Sequence, residues 1–232
     1  TIIDFKNMLP FATFQDNNFT QVNDIDLSSN PGLFIPIFNS NRYEGNGYRV
    51  TNVNISLPKF SSIGLFGRVG SASEITNLSC INSDITCYGV GGFVGRNSGV
   101  ISSCSFEGNI SSPSDDRNDL GGIAGVNVGV IINCYAEGKV SGNSSIGGLV
   151  GYNLLDVYYG IYGIIENCYS ICEIEGYRFL GGLVGTNLSK KIYNSFWDVN
   201  VSGISYSKGG TGKTTEEMKT KGTFTGAGWN FT

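Results

Sequence analysis

A chain of 232 residues without one histidine lacks the commonest general base near neutral pH. Its candidate chemistry therefore rests on acids, thiols and one phosphate-loop-like phrase. Asp115, Asp116 and Asp119 stand with Arg117 in the stretch "SSPSDDRNDL", and Asp24 and Asp26 form a second acidic group. Glycoside cleavage needs two opposed carboxylates across a substrate groove. Three acids in one loop read as a solvated turn or a calcium site of low affinity, and no EF-type loop is present. "GGTGKTT" (209–215) ends like a phosphate-binding loop, but the position of its first glycine is Ser207. The better reading is that Thr214 or Thr215 caps a short terminal helix, with Glu216 and Glu217 in its first turn. Of the six cysteines, none forms a CxxC or Cys/His set, so no zinc site is expected. The residues call for no metal, no cofactor and no catalytic group.

What recurs is glycine. "GGFVGRN" (91–97) returns as "GGIAGVN" (121–127), "GGLVGYN" (147–153) and "GGLVGTN" (181–187), with a worn copy "IGLFGRV" at 63–69. Gly64, Gly92, Gly122, Gly148 and Gly182 mark intervals of 28, 30, 26 and 34 residues. A period in this range signals a repeat array. A second phrase follows each copy: "ITNLSC", "VISSCSF", "VIINCYA", "IIENCYS" and "KIYNSFW". Aligned on cysteine, these give Cys80, Cys104, Cys134, Cys168 and then Ser195, with Asn77, Ile101, Ile131, Ile165 and Ile192 three places earlier. A third phrase places Ile110, Val140 and Ile174 six residues after the cysteine.

Short β-branched segments between Gly, Asn and Ser read as strands, and no helical period runs through the repeats. The chain is therefore expected to be all-β: a parallel β-helix of about five repeats with three short strands per coil, ending in a short helix. Parallel crossovers favour the right hand. The array divides into N-terminal capping coils (1–62), repeats (63–206) and a closing segment (207–232). Equivalent residues should stack at the inter-strand spacing of about 4.8 Å. The two aliphatic sets become interior ladders, and the four cysteines a reduced interior column. Cys87 and Cys172 lie off that column, too far apart to pair. Asn133, Asn167 and Asn194 should chain their amides as stacked asparagines do. The glycines should supply φ > 0 at corners.

The phrases "GGLVGYN…IIENCYS" resemble the GLUG repeat of large prokaryotic surface proteins, which include adhesin-like proteins and the non-catalytic region of IgA-specific metallopeptidases. The stretches 23–55 and 195–231 resemble the segments that flank such arrays. The resemblance implies an extracellular, surface-attached setting and no activity of its own.

Composition agrees with an ordered repeat: 34 glycines, 5 prolines, 15% charged residues and a net charge of −4. Scattered basic residues exclude a nucleic-acid surface, and no apolar run is long enough to insert in a membrane. The opening "TIIDFKNMLP" has neither basic start nor cleavage site, so it reads as a mature chain or a piece of a larger one. Asn-x-Ser/Thr occurs at Asn18, Asn54, Asn77, Asn109, Asn143, Asn187, Asn200 and Asn230, where a glycosylating host would decorate the rod. "LLDVYYGIYG" inserts Tyr158, Tyr159 and Tyr162 in the longest repeat. These could stack on sugar rings, cover the flank or contact another subunit. The expected partners are surface glycans or proteins, or neighbouring copies in a fibre. The reading is an adhesin, stalk or filament module; a carbohydrate-binding or carbohydrate-cleaving β-helix is the rival.

Overall fold

The computed structural model describes residues 6–10, 12, 17–113, 118–158 and 160–231. It is an all-β parallel solenoid of about five turns, with short helices near its C-terminus. Each coil crosses three faces. Face I stacks seven strands, among them Glu74–Thr76, Val100–Ser102, Val130–Ile132, Ile164–Glu166 and Lys191–Tyr193. Face II holds the longest strands, such as Ser105–Ser111, Tyr135–Ser141 and Tyr169–Glu175. Face III stacks six, including Phe66–Val69, Val94–Asn97, Ala124–Asn127 and Val150–Asn153.

The phrases do not map one-to-one onto strands. The cysteine phrase breaks at a corner, and its tail joins the third phrase as one face II strand. The start of each glycine phrase forms a fourth short strand, as at Leu120–Gly121 and Ser144–Gly147. Four segments per coil replace the expected three. The coils at 18–63 continue the same parallel register into the repeats.

The interior is one continuous column of apolar side chains. Ile101, Ile131, Ile165 and Ile192 are register partners in successive coils, extended backward by Ile75 and Tyr43. The first three of that set are fully buried, while Ile192, on the last rung of face I, is half-buried. Ile110, Val140 and Ile174 form the second ladder, extended by Ile85 and Ile55. At the N-terminal end the core turns aromatic, with Phe38, Tyr43 and Phe66 packed edge to face.

Two expectations about the corners are corrected. Gly64, Gly92, Gly122, Gly148 and Gly182 do not have positive φ. The left-handed corner is made by Asn77, Ser103, Asn133, Asn167 and Asn194, with φ of 53, 53, 54, 51 and 46°. Asparagine tolerates this region because its short polar side chain can bond locally. Alignment of these corners also displaces Cys80: its register partner is Phe106, and Leu78 occupies the column below Cys104. That coil also carries one extra residue after Cys80, which shifts the register by one between Phe106 and Gly108.

The glycines serve close approach instead. A Cβ on Gly92 would lie 2.6 Å from the Gly122 carbonyl and 2.5 Å from the Phe106 ring. At Gly122 it would meet Gly148 O at 2.6 Å and Ala136 Cβ at 2.3 Å. One row of bare backbone thus receives a face II side chain across the core, coil after coil. Gly122→Ala should destabilise the fold by about 2–3 kcal/mol through overpacking. Gly47→Ala, where φ is +76° but a Cβ meets nothing within 4 Å, should cost about 1 kcal/mol. Urea unfolding of both variants checks this, and the opposite order would refute close approach as the reason for the glycine rows.

Candidate functional site: stacked polar columns and exposed corners

The recurring polar residues form two interior columns. Asn97, Asn127 and Asn153 close the face III strands and are completely buried. Asn97 Nδ2 donates to Asn127 Oδ1 at 2.9 Å, Asn127 Nδ2 to Asn153 Oδ1 at 2.9 Å, and Asn153 Nδ2 to Asn187 Oδ1 at 3.1 Å. Each also serves its own turn: Asn97 Oδ1 accepts from Gly99 N, and Asn127 Oδ1 from Gly129 N. The last rung is closed by Asn187 Nδ2 donating to the Lys208 carbonyl. The amide chain therefore runs through the final letter of the glycine phrase. Asn133, Asn167 and Asn194 do not form it, because they occupy the left-handed corner, where Asn133 and Asn194 are exposed and Asn167 is half-buried with its Oδ1 unpartnered.

The second column is Cys104, Cys134, Cys168 and Ser195. Cys104 N donates to Cys134 Sγ at 3.4 Å, Cys134 N to Cys168 Sγ at 3.4 Å, and Cys168 N to Ser195 Oγ at 3.1 Å. Each thiol in turn donates to the carbonyl two residues before it, as Ser195 Oγ does to Tyr193 O. The residue supplies an acceptor for a buried corner amide that would otherwise be orphaned. Serine can replace it for that reason. All six cysteines are free and buried. Burial pushes the Cys80 thiol up to about 12 and Cys87 up to about 11, and holds Cys104 and Cys168 well above the ordinary range. A reactive thiol needs the reverse shift.

The acidic candidates are placed as follows. Asp115 and Asp116 lie outside the described residues; Asp119 is half-buried just before Leu120. Among the described residues no group of three His, Cys, Asp or Glu side chains could hold a metal ion. Asp24 Oδ1 accepts from Arg49 N, and Asp26 Oδ1 from Ser28 N and Asn52 Nδ2. The bonds from Asn52 and Ser28 hold the Asp26 carboxyl below the usual range. These acids cap turns. Sequence reasoning missed a third acidic group, Asp84, Glu107 and Glu137, which lines an open cleft of about 250 Å³ on the outside of face II. Glu107 and Glu137 are register neighbours on one exposed face, not opposed across a groove. The signal for them was the outward half of the third phrase.

The phosphate-loop decoy resolves as structure. Thr211–Lys213 is a strand paired with Phe196–Asp198, and Thr214 caps the helix Thr215–Met218 in a reciprocal box with Glu217. Trp229, Phe224 and Met218 then cover the outer side of Tyr169 and Phe196.

The tyrosine insertion is a hairpin, Leu155–Asp156 with Ile161–Tyr162, at the corner between faces III and I. Tyr158 is 85% exposed near its tip. Lys191 Nζ lies 3.8 Å from the centre of the Tyr162 ring. Tyr159 lies outside the described residues. Tyr177 and Phe179 are among the exposed aromatics that escaped notice, and Phe179 has a φ of 51° where Ser145 has 54°. A left-handed aromatic is uncommon. Of the Asn-x-Ser/Thr positions, Asn18, Asn54, Asn77, Asn109, Asn200 and Asn230 are exposed. Asn143 and Asn187 are half-buried, with Ser145 and Ser189 of their motifs buried.

Residues 86–111, 116–141 and 142–171 match the GLUG motif. The first match runs from Thr86 to its own register partner Ser111, so one motif is one coil. A "Putative Gly-rich membrane protein" of Evansella cellulosilytica is 39% identical over 103 residues, covering 39% of this chain and 12% of that protein. No solved structure matches the chain. No helix among the described residues is long and apolar enough to cross a membrane.

Asn127→Asp tests the amide chain. It keeps the shape but sets a carboxylate against Asn153 Oδ1, and burial without a cation raises its folded pKa above the unfolded value of about 3.9. The penalty, about 3 kcal/mol or more at pH 7, should shrink as pH falls toward 4, where the protonated acid again donates. A pH-independent penalty in urea unfolding would refute the chain. For the thiols, none should react with iodoacetamide in the folded protein at pH 8, and all should react in urea. Because burial raises the folded pKa values of Cys80, Cys87, Cys104, Cys168 and Cys172 above the unfolded value of about 8.5, stability should fall as pH rises from about 9 to 11.

Proposed function

We propose that this run of GLUG repeats is a non-enzymatic structural module of a surface or extracellular protein: a stiff spacer that carries or presents adhesive parts. One observation carries the reading. The residues that recur, Gly, Asn, Cys and Ile, are spent on contacts between coils, so the repeated pattern is accounted for without a substrate. Parallel coils stacked through such contacts make a rod whose length scales with repeat number. The similar protein is named as a glycine-rich membrane protein, which fits a setting at a cell surface. The chain matches about an eighth of that protein, so the rod is one part of a longer machine in that relative.

Adhesion to glycans is the second reading, favoured by Tyr158 and Tyr162 on the exposed hairpin. Aromatic faces suit sugar rings, and the Lys191 ammonium over Tyr162 stiffens one of them. The test is the purified chain against acidic and neutral polysaccharides, with and without calcium. No turnover is expected. Binding that falls more than about tenfold on Tyr158→Ala or Tyr162→Ala would establish the adhesive role. Turnover abolished by Glu107→Gln, Glu137→Gln or Asp119→Asn would overturn the non-enzymatic reading.

A further inference from the structure

We propose that the outer side of face I is the contact between two copies of this chain, packed face to face about a two-fold axis along the Val130–Ile132 strand. In the face I strands the middle residue points into the core and its two neighbours lie on the outer side, where Thr76 is buried under its bond to Glu44. These outward positions form two columns. One runs Arg42, Glu74, Val100, Val130, Ile164, Lys191; the other runs Glu44, Thr76, Ser102, Ile132, Glu166, Tyr193. The centre of this outer surface is β-branched and aliphatic, and its ends are charged.

The neighbouring face sets the contrast. Face II also carries an outward apolar patch, Tyr135, Tyr169 and Ile171, and the chain covers part of it with Met218, Phe224 and Trp229. Val100, Val130, Ile132 and Ile164 are half-buried and belong to neither core cluster of the described residues. An outward aliphatic sheet invites sheet-on-sheet packing at about 10 Å.

Charge order selects a second copy as the occupant. The Val130–Ile132 strand is the fifth of seven on face I. A two-fold axis along it reverses the order of strands and keeps each residue in its own column. Val130 and Ile132 then meet their own copies. Val100 meets Ile164, and Ser102 meets Glu166. Glu74, which lies 3.5 Å from Arg42 of its own chain, meets Lys191, whose ammonium sits over its own Tyr162, twice over. Each opposition follows from the register, and none brings like charges together. A two-fold axis along the solenoid would keep strand order but exchange the two columns, setting Glu74 against Thr76, Lys191 against Tyr193 and Ile164 against Glu166, with no charge pair across the contact.

The inference deepens the scaffold reading by naming a partner, yet it stands on different residues. A monomer would leave the scaffold reading in place, and turnover on a polysaccharide would leave the dimer in place. Sedimentation equilibrium of the purified chain should show a dimer at about 0.1 mM or below. Ile132→Lys should weaken it by more than about tenfold, with the circular dichroism and urea midpoint of the monomer retained. Glu74→Lys and Lys191→Glu should each weaken it, and the double variant should restore it, since the swapped charges meet again. A wild-type monomer at that concentration, a dimer indifferent to Ile132→Lys, or a double variant no better than its parents would each overturn the proposal.

Discussion

Everything in this molecule depends on one constraint: each coil hydrogen-bonds to the next as a parallel strand, in register, at the inter-strand spacing. A residue's neighbours are then its own equivalents above and below. Side chains that interact well with their own kind are selected by that geometry. Isoleucine on isoleucine fills the core, and an asparagine amide donates to the next asparagine's oxygen while its own oxygen accepts. The constraint also explains why the chain needs many copies of one phrase. A single coil leaves both of its edges unpaired, and only repetition satisfies them.

The corners are where repetition is hardest, because the backbone leaves the sheet and its polar groups lose ladder partners. Two devices meet this need. The left-handed residue, usually asparagine, turns the chain. The residue that follows offers a sulfur or oxygen atom to the amide of the coil before it. The thiols are thus hydrogen-bonding groups in a buried place, donating to carbonyls and accepting from corner amides. Opposite them, the glycine rows let a face II side chain reach bare backbone, which keeps the coil narrow and dry.

With the interior consumed in this way, what distinguishes one surface from another is decided by insertions and by outward positions. The tyrosine hairpin replaces a two-residue turn in a single coil. The closing segment folds back to cover part of the mostly aromatic patch on face II. The acids on face II lie on the outside of an unbroken sheet, exposed to solvent rather than set against each other. The repeat builds the rod, and the exceptions to it give the rod its contacts.

The sequence by itself determined the parallel solenoid, the coil length and the two aliphatic ladders. Their signal is periodic, and stacking turns sequence period directly into spatial neighbourhood. It also determined the helix cap at Thr214, a local pattern of residue types. Tertiary structure alone decided which asparagines share a column. Asn97 and Asn133 recur equally well in sequence, but strand alternation turns one inward and the left-handed corner turns the other out. It decided the place of Cys80 as well: this cysteine stands three residues after the Asn77 corner, where Cys104 stands one residue after Ser103, so it pairs with Phe106 instead. Likewise the role of the glycines depends on which atoms lie across the core, and no local sequence records that. The family of the coils was legible in the repeat; which part of face II is covered was decided by where the closing segment came to rest.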